Sequence, residues 1–115
     1  MWETSATDEY LKWFGSLDSG SQVSLLSKIL LLVEFGPQLG RPHVDTLKGS
    51  RHKNLKELRA RTPEHILRVL FIFDENRRAL LLIGGDKKGK NQKDFYKRLI
   101  QSAETVIERY KLQGG

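Results

Sequence analysis

An arginine inside a run of Ile, Leu, Val and Phe is costly to desolvate, and Arg68 holds that position in "HILRVLFIFD" (His65 to Asp74). Such a guanidinium must reach solvent, a buried acid or the phosphate of a ligand. The acid that strand pairing would bring near is Glu57. It is the single carboxylate of "LKGSRHKNLKELRAR" (Leu47 to Arg61), which otherwise carries six Lys or Arg and one His. Two readings stand side by side: a salt bridge between Arg68 and Glu57, or Arg68 as the floor of an anion-binding cleft. One arginine can serve both, pairing with Glu57 in the free protein and with phosphate in a complex.

Other chemistries fit less well. The chain has no cysteine, so thiolate catalysis and disulfides are out, and a reducing compartment is expected. His43, His52 and His65 lie in separate turn-like contexts without metal-ligand spacing, so no metal and no cofactor is expected. No Ser-His-Asp set and no carboxylate pair suited to glycosides is legible. "GGDKKGK" (Gly84 to Lys90) has the composition of a phosphate-cradling turn but lacks GxxxxGK[ST]. A basic cleft with one acid and one tyrosine remains. That set suits RNA cleavage by attack of its own 2′-hydroxyl, which needs in-line alignment, neutralised phosphate charge and two proton movements. Arginines and lysines supply the second, while Glu57, a lysine or Tyr96 can share the third. Arg51, Lys53, Lys56, Lys87 and Lys90 are further candidates for holding RNA phosphates.

The elements that must position these residues follow from periodicity. Trp2 to Ala6 reads as a short strand, and Thr7 as an N-cap followed by Asp8 and Glu9 in a first helical turn. Tyr10, Leu11, Phe14 and Leu17 keep helical spacing until "DSGS" (Asp18 to Ser21). A second helix is predicted from Gln22 to Phe35, stopped by Gly36-Pro37. Its wide apolar arc holds Val23, Leu25, Leu26, Ile29, Leu30, Leu32 and Val33. Leu31 lies opposite, as an incidental exposed leucine or a partner-binding flank. "GPQLGRPHVDTLKGS" (Gly36 to Ser50) reads as loop. Three strands follow, at 54–61, 65–74 and 78–84, joined by connectors short enough for antiparallel hairpins. Alternation puts Leu55, Glu57 and Arg59 on one face of the first, and Lys56, Leu58 and Ala60 on the other. A last helix begins near Asn91 or Gln92 with Phe95, Leu99, Ala103, Val106 and Tyr110 as its buried stripe. The order β-α-α-β-β-β-α implies one domain of α+β class over 1–115: a small antiparallel sheet with a mixed edge, two N-terminal helices packed on it and a C-terminal helix.

The formal charge of +6 lies almost wholly in the second half, since residues 1–50 carry only Lys12, Lys28, Arg41 and Lys48 against six acids. This asymmetry favours a polyanionic partner. The longest apolar run, "ILLLV" (Ile29 to Val33), is far short of a membrane span, and no signal peptide opens the chain, so a cytoplasmic location without membrane attachment is expected.

Taken together, "EYLKWFGSLD", "GPQLGRPHVDTLKGSRHKNLKELR", "LRVLFIFD", "LLIGGDKKGK" and "FYKRLIQSAE" resemble the RelE/ParE superfamily of type II toxins, in its HigB-like, phage-derived Gp49-like branch. The resemblance covers nearly the whole chain, and "DTLKGSRHKNLKELR" with "LRVLF" and "GGDKKG" is its specific part. It implies a RelE-like fold and a toxin neutralised by a cognate antitoxin, a HigA-like helix-turn-helix protein that contacts operator DNA on the toxin's behalf. It also implies cleavage of mRNA, commonly on the 70S ribosome, with arrest of translation and growth. By motif, the catalytic set would be Arg59, Arg68, Lys88 and Tyr96. Where RelE proper alternates two lysines, this chain has Leu55 and Glu57, so Glu57 is either a substitute general base or a counter-ion for Arg59 or Arg68. Two other readings compete: a ParE-like inhibitor of DNA gyrase, and a non-catalytic remnant that only binds antitoxin.

Overall fold

A computed structural model describes residues 1–112. The elements run β1 (Glu3–Ala6), α1 (Asp8–Gly15), α2 (Ser19–Phe35), β2 (Val44–Thr46), β3 (Lys56–Arg61), β4 (Ile66–Phe73), β5 (Arg78–Asp86) and α3 (Gln92–Leu112), with a 3-10 turn at Gly36–Gln38. The sheet order is β1-β5-β4-β3-β2. The β2 to β5 ladder is antiparallel throughout, and β1 adds a parallel edge against β5. This is the α+β arrangement expected, with one added strand and several shifted boundaries.

The sheet is covered on both faces. Leu58, Ala60, Leu67, Val69, Phe71, Ala79 and Leu81 meet Tyr10, Leu25 and Leu32 from α1 and α2. Leu55, Leu70, Leu80 and Leu82 meet the α3 stripe of Phe95, Leu99, Ala103 and Val106, widened by Ile100 and Ile107. Residues buried on both sides explain why β4 reads as an almost unbroken apolar run.

Four readings from the sequence need correction. Val44–Thr46 is a strand rather than loop; three residues are too few to show alternation, but they pair with Leu58, Glu57 and Lys56. α2 starts at Ser19, because the Asp18 carboxylate accepts from the Ser21 N–H and caps the helix. Leu31 is half-buried, while Val23, Leu26 and Leu30 form an exposed apolar face, so one side of the wide arc is solvent-facing and only the side with Leu25 and Leu32 is buried. β5 runs on through Gly84 and Gly85. A Cβ at Gly84 would overlap the Trp13 ring, and one at Gly85 would lie 3.0 Å from Phe95. These glycines therefore admit aromatic rings from both layers and do not form a phosphate cradle.

Strand register decides which side chains meet. Arg59 lies directly opposite Arg68, and Arg68 opposite Gly85. Between Leu70 and Phe71 the β4–β5 pairing slips, with Leu70 opposite Ile83 and Phe71 opposite Leu81. Leu82 is the extra residue of this bulge, and it inverts the alternation of everything after it on β5.

Candidate active site

The α3-facing side of β3 and β4 carries two arginines in register, an arrangement that destabilises a sheet unless an anion lies between them. Glu57 is that anion. Its side chain is only 3% exposed, and both oxygens are engaged. Oε2 accepts from Arg59 Nε and Nη2 at 3.1 and 2.9 Å. Oε1 accepts from the Tyr96 hydroxyl at 2.7 Å and lies 3.4 Å from Arg68 Nε. Arg68 Nε also donates to the Tyr96 oxygen at 3.2 Å, and its Nη1 to the Leu67 carbonyl at 3.0 Å. Four side chains from β3, β4 and α3 thus form one closed network. Asp45 on β2 joins at its rim, 3.3 Å from Arg59 Nη2 and shared with Arg41 at 2.8 Å.

Lys87 completes the set. The bulge turns it toward α3, where its ammonium stands 5.6 Å from the centre of the Tyr96 ring. Burial and the neighbouring positive charge of Arg68 pull the Lys87 ammonium below the usual lysine range, against the opposing pull of Glu57. Burial and the hydrogen bond to Glu57 push the Tyr96 hydroxyl up, which keeps it protonated and donating. Burial works against the Arg59 charge, but the hydrogen bond to Glu57 and the negative charges of Glu57 and Asp45 together outweigh it and hold the guanidinium protonated. The cluster can therefore grip an anion with two arginines, donate from a phenol and move a proton through a lysine.

The other residues singled out in the sequence lie elsewhere. Lys88 turns away, donating to the Pro63 carbonyl at 3.0 Å. Arg51 is spent on α3: its Nη2 reaches Glu108 at 2.6 Å, and its backbone N–H reaches Glu104 at 2.8 Å. Lys56 donates to Thr46 across the β2–β3 pair, on the face opposite Glu57. Lys53 is exposed in the segment before β3. Lys90 is 6.0 Å from the Phe95 ring, in the turn leading to α3. That turn hangs on Asp86, which accepts from the Ile66 and Lys88 N–H groups and pairs with His65 Nδ1 at 2.6 Å. His65 Nε2 reaches Asp18 at 3.1 Å, so the clasp also holds the start of α2. Among the described residues no group of His, Asp or Glu is arranged to hold a metal ion, and no helix is long and apolar enough to cross a membrane.

Residues 12–108 match the family described as phage derived protein Gp49-like. The chain is 36% identical over 111 residues to the candidate toxin HigB2 of Mycobacterium tuberculosis, covering 96% of this chain but 55% of that protein. It thus spans about half of HigB2. To the candidate toxin HigB3 of the same organism it is 41% identical over 99 residues, covering 86% of this chain and 84% of that one. Among solved structures, a mutant of the E. coli toxin RelE in the free state superposes with a TM-score of 0.62 at 13% identity, covering 94% of this chain and 96% of that one. The archaeal RelE-RelB complex of Pyrococcus horikoshii gives 0.56 at 19% identity, over 76% and 97%. At these identities the structures establish a shared fold.

Proposed function

The chain belongs to the Gp49-like family, the HigB-like branch of the RelE superfamily of toxins, and on that footing we propose that it is an endoribonuclease that cuts mRNA and is held in check by an antitoxin. One observation carries this reading above the rest. Arg59 and Arg68 face each other across a strand pair with a single buried carboxylate between them, and a lysine of lowered proton affinity stands beside them. Two arginines with half the negative charge needed to neutralise them suit a phosphate oxyanion.

In the proposed reaction the scissile phosphate lies against Arg59 and Arg68, which take up the charge that grows on its non-bridging oxygens. Lys87, in its free-amine form, accepts the proton of the adjacent 2′-hydroxyl as that oxygen attacks phosphorus in line. The bond to the 5′-oxygen breaks, and the Tyr96 hydroxyl, freed from Glu57 by the incoming phosphate, donates to it. The products are a 2′,3′-cyclic phosphate and a 5′-hydroxyl. Glu57 acts as counter-ion rather than base, because both its oxygens are occupied and water is excluded from it. This gives the lysine missing from β3 a replacement that arrives from the end of β5.

The antitoxin is inferred by analogy with the RelE-RelB complexes solved from E. coli and P. horikoshii, and a HigA-like helix-turn-helix protein fits the branch. Ribosome-bound mRNA is the proposed substrate form. Primer extension on mRNA after induction of the protein, with and without translation inhibitors, tests both parts: cuts that vanish when ribosomes are emptied support the full reading. Intact mRNA accompanied by gyrase-dependent DNA breaks would replace it with the inhibitor reading.

A further inference from the structure

Two basic clefts open on either side of the Glu57 cluster, and neither was singled out from the sequence. The first, about 320 Å³, lies beyond the start of β2, where the last residues of β3 form the sheet edge. Lys28 from α2, Arg61 from β3, and Arg59 and Arg68 line it. Lys28 is held in place: its ammonium donates to His43 Nδ1 at 2.9 Å, and the His43 carbonyl accepts from the Arg59 N–H at 2.8 Å. The second cleft, about 750 Å³, lies between α3 and the segment before β3, with Tyr96, Lys93, Lys97 and Lys48 in its wall, together with Glu104, already engaged by Arg51 and Ser50. Among the described residues, Lys28, Arg61, Lys93 and Lys97 have no carboxylate within salt-bridge distance.

We propose that the two clefts are one track for single-stranded RNA, with Lys28 and Arg61 holding the phosphate on one side of the scissile bond, and Lys93 and Lys97 the phosphate on the other. The continuity is structural: the first cleft shares Arg59 and Arg68 with the cluster, and the second shares Tyr96. A strand that enters by one cleft must cross the cluster to leave by the other. Uncompensated cations gathered in a concave surface repel one another, and they gain stability only when a polyanion fills it. The inference rests on the proposed ribonuclease reading for its substrate, but its test does not require cleavage.

The probe is a short single-stranded 2′-O-methyl RNA, which keeps the phosphates and lacks the attacking hydroxyl. Its binding is followed by fluorescence anisotropy over a salt series. The double variants Lys28→Ala/Arg61→Ala and Lys93→Ala/Lys97→Ala should each weaken binding about tenfold at low salt and lower the log–log salt slope by about 0.7, since each pair holds one phosphate and each phosphate neutralised in a single strand accounts for about that much. Lys12→Ala/Lys111→Ala removes the same charge away from both clefts and should change affinity no more than about twofold. Lys93 and Lys97 are exposed on a helix, so their replacement leaves the melting temperature in place and the loss can be read as binding. If either cleft variant binds as wild type, or if the control pair loses as much, the track is overturned. The two readings separate cleanly. A wild type that binds through both clefts yet cuts no mRNA keeps the track and loses the nuclease, whereas one that cuts mRNA while the cleft variants bind normally does the reverse.

Discussion

The basic segment from Leu47 to Arg61 meets α3 twice, and the two meetings differ in charge balance. At its start, Arg51 faces Glu104 and Glu108: one cation against two acids, with the Arg51 side chain 67% exposed. The Ser50 hydroxyl and the Arg51 N–H also donate to the largely buried Glu104, so the contact fastens a loop to a helix. At its end, Arg59 and Arg68 with Lys87 and Arg41 face only Glu57 and Asp45, and Arg68 is 12% exposed. The first contact is satisfied within the protein. The second is desolvated and still carries an excess of positive charge. Both places pair arginine with carboxylate; balance and burial separate a fastening from a site.

The sharpest way to break this distinction is at Lys87. Lys87→Ala should lower the cleavage rate by about 10³, within the usual range for losing a proton-transfer group, while Lys88→Ala stays within about threefold of wild type. Equal effects in a cleavage assay would mean that the side chain over Tyr96 has no special part. Glu57→Gln is next. As a counter-ion, Glu57 should cost roughly 3 kcal/mol of stability, the low end for a broken buried pair because Arg59 can turn toward water, with cleavage retained to within about tenfold. A loss of about 10² or more in the rate at temperatures where the variant is folded would assign it the base role instead. Glu104→Ala should remove about 2 kcal/mol by freeing the loop that carries Arg51, without lowering cleavage at temperatures where it is folded. A matching loss of cleavage would erase the contrast between the two meetings.

The smallest effect concerns the His65 clasp. The hydrogen bond and charge of Asp86 raise the His65 imidazole above its ordinary value, and His65 in turn helps hold Asp18 and Asp86 below theirs. Raised protonation stabilises the fold below the unfolded histidine's pKa, and this contribution fades as pH climbs through the folded value. The lowered carboxylates contribute above their ordinary range and are lost in acid. The melting-temperature gap between wild type and His65→Gln should therefore be widest near pH 5 to 6 and narrow toward pH 8. A gap that does not change over that interval would remove the charged pair from the clasp.

The sequence reading reached the cluster because four of its members obey simple periodicities. Glu57 and Arg59 alternate with Leu58 and Ala60, and Arg68 stands alone in an apolar strand. Tyr96 follows Phe95 at the start of a regular amphipathic stripe. Lys87 was read only as a phosphate-holding lysine and Lys88 took its place in the catalytic set, because alternation from Leu80 and Leu82 would point Lys88, not Lys87, at α3, and only the bulge at Leu82 reverses it. No local pattern marks that bulge: it reflects how β4 and β5 share space with α3. Asp45 was hidden in a strand of three residues, and Lys28 on a helix far away in sequence, reached only through His43. Gly84 and Gly85 were legible as special but not as to cause, since Trp13 and Phe95 approach them from elements distant along the chain.

Arg68→Ala set beside Arg51→Ala, both expressed in cells and assayed by primer extension on mRNA with melting curves as controls, tests most directly whether charge excess marks the active site. Arg51→Ala should cut mRNA as wild type does. Arg68→Ala should cut at least about 100-fold less while remaining folded, as expected when a group that stabilises transition-state charge is lost. A folded Arg68→Ala protein that cuts mRNA as efficiently as wild type would contradict the assignment.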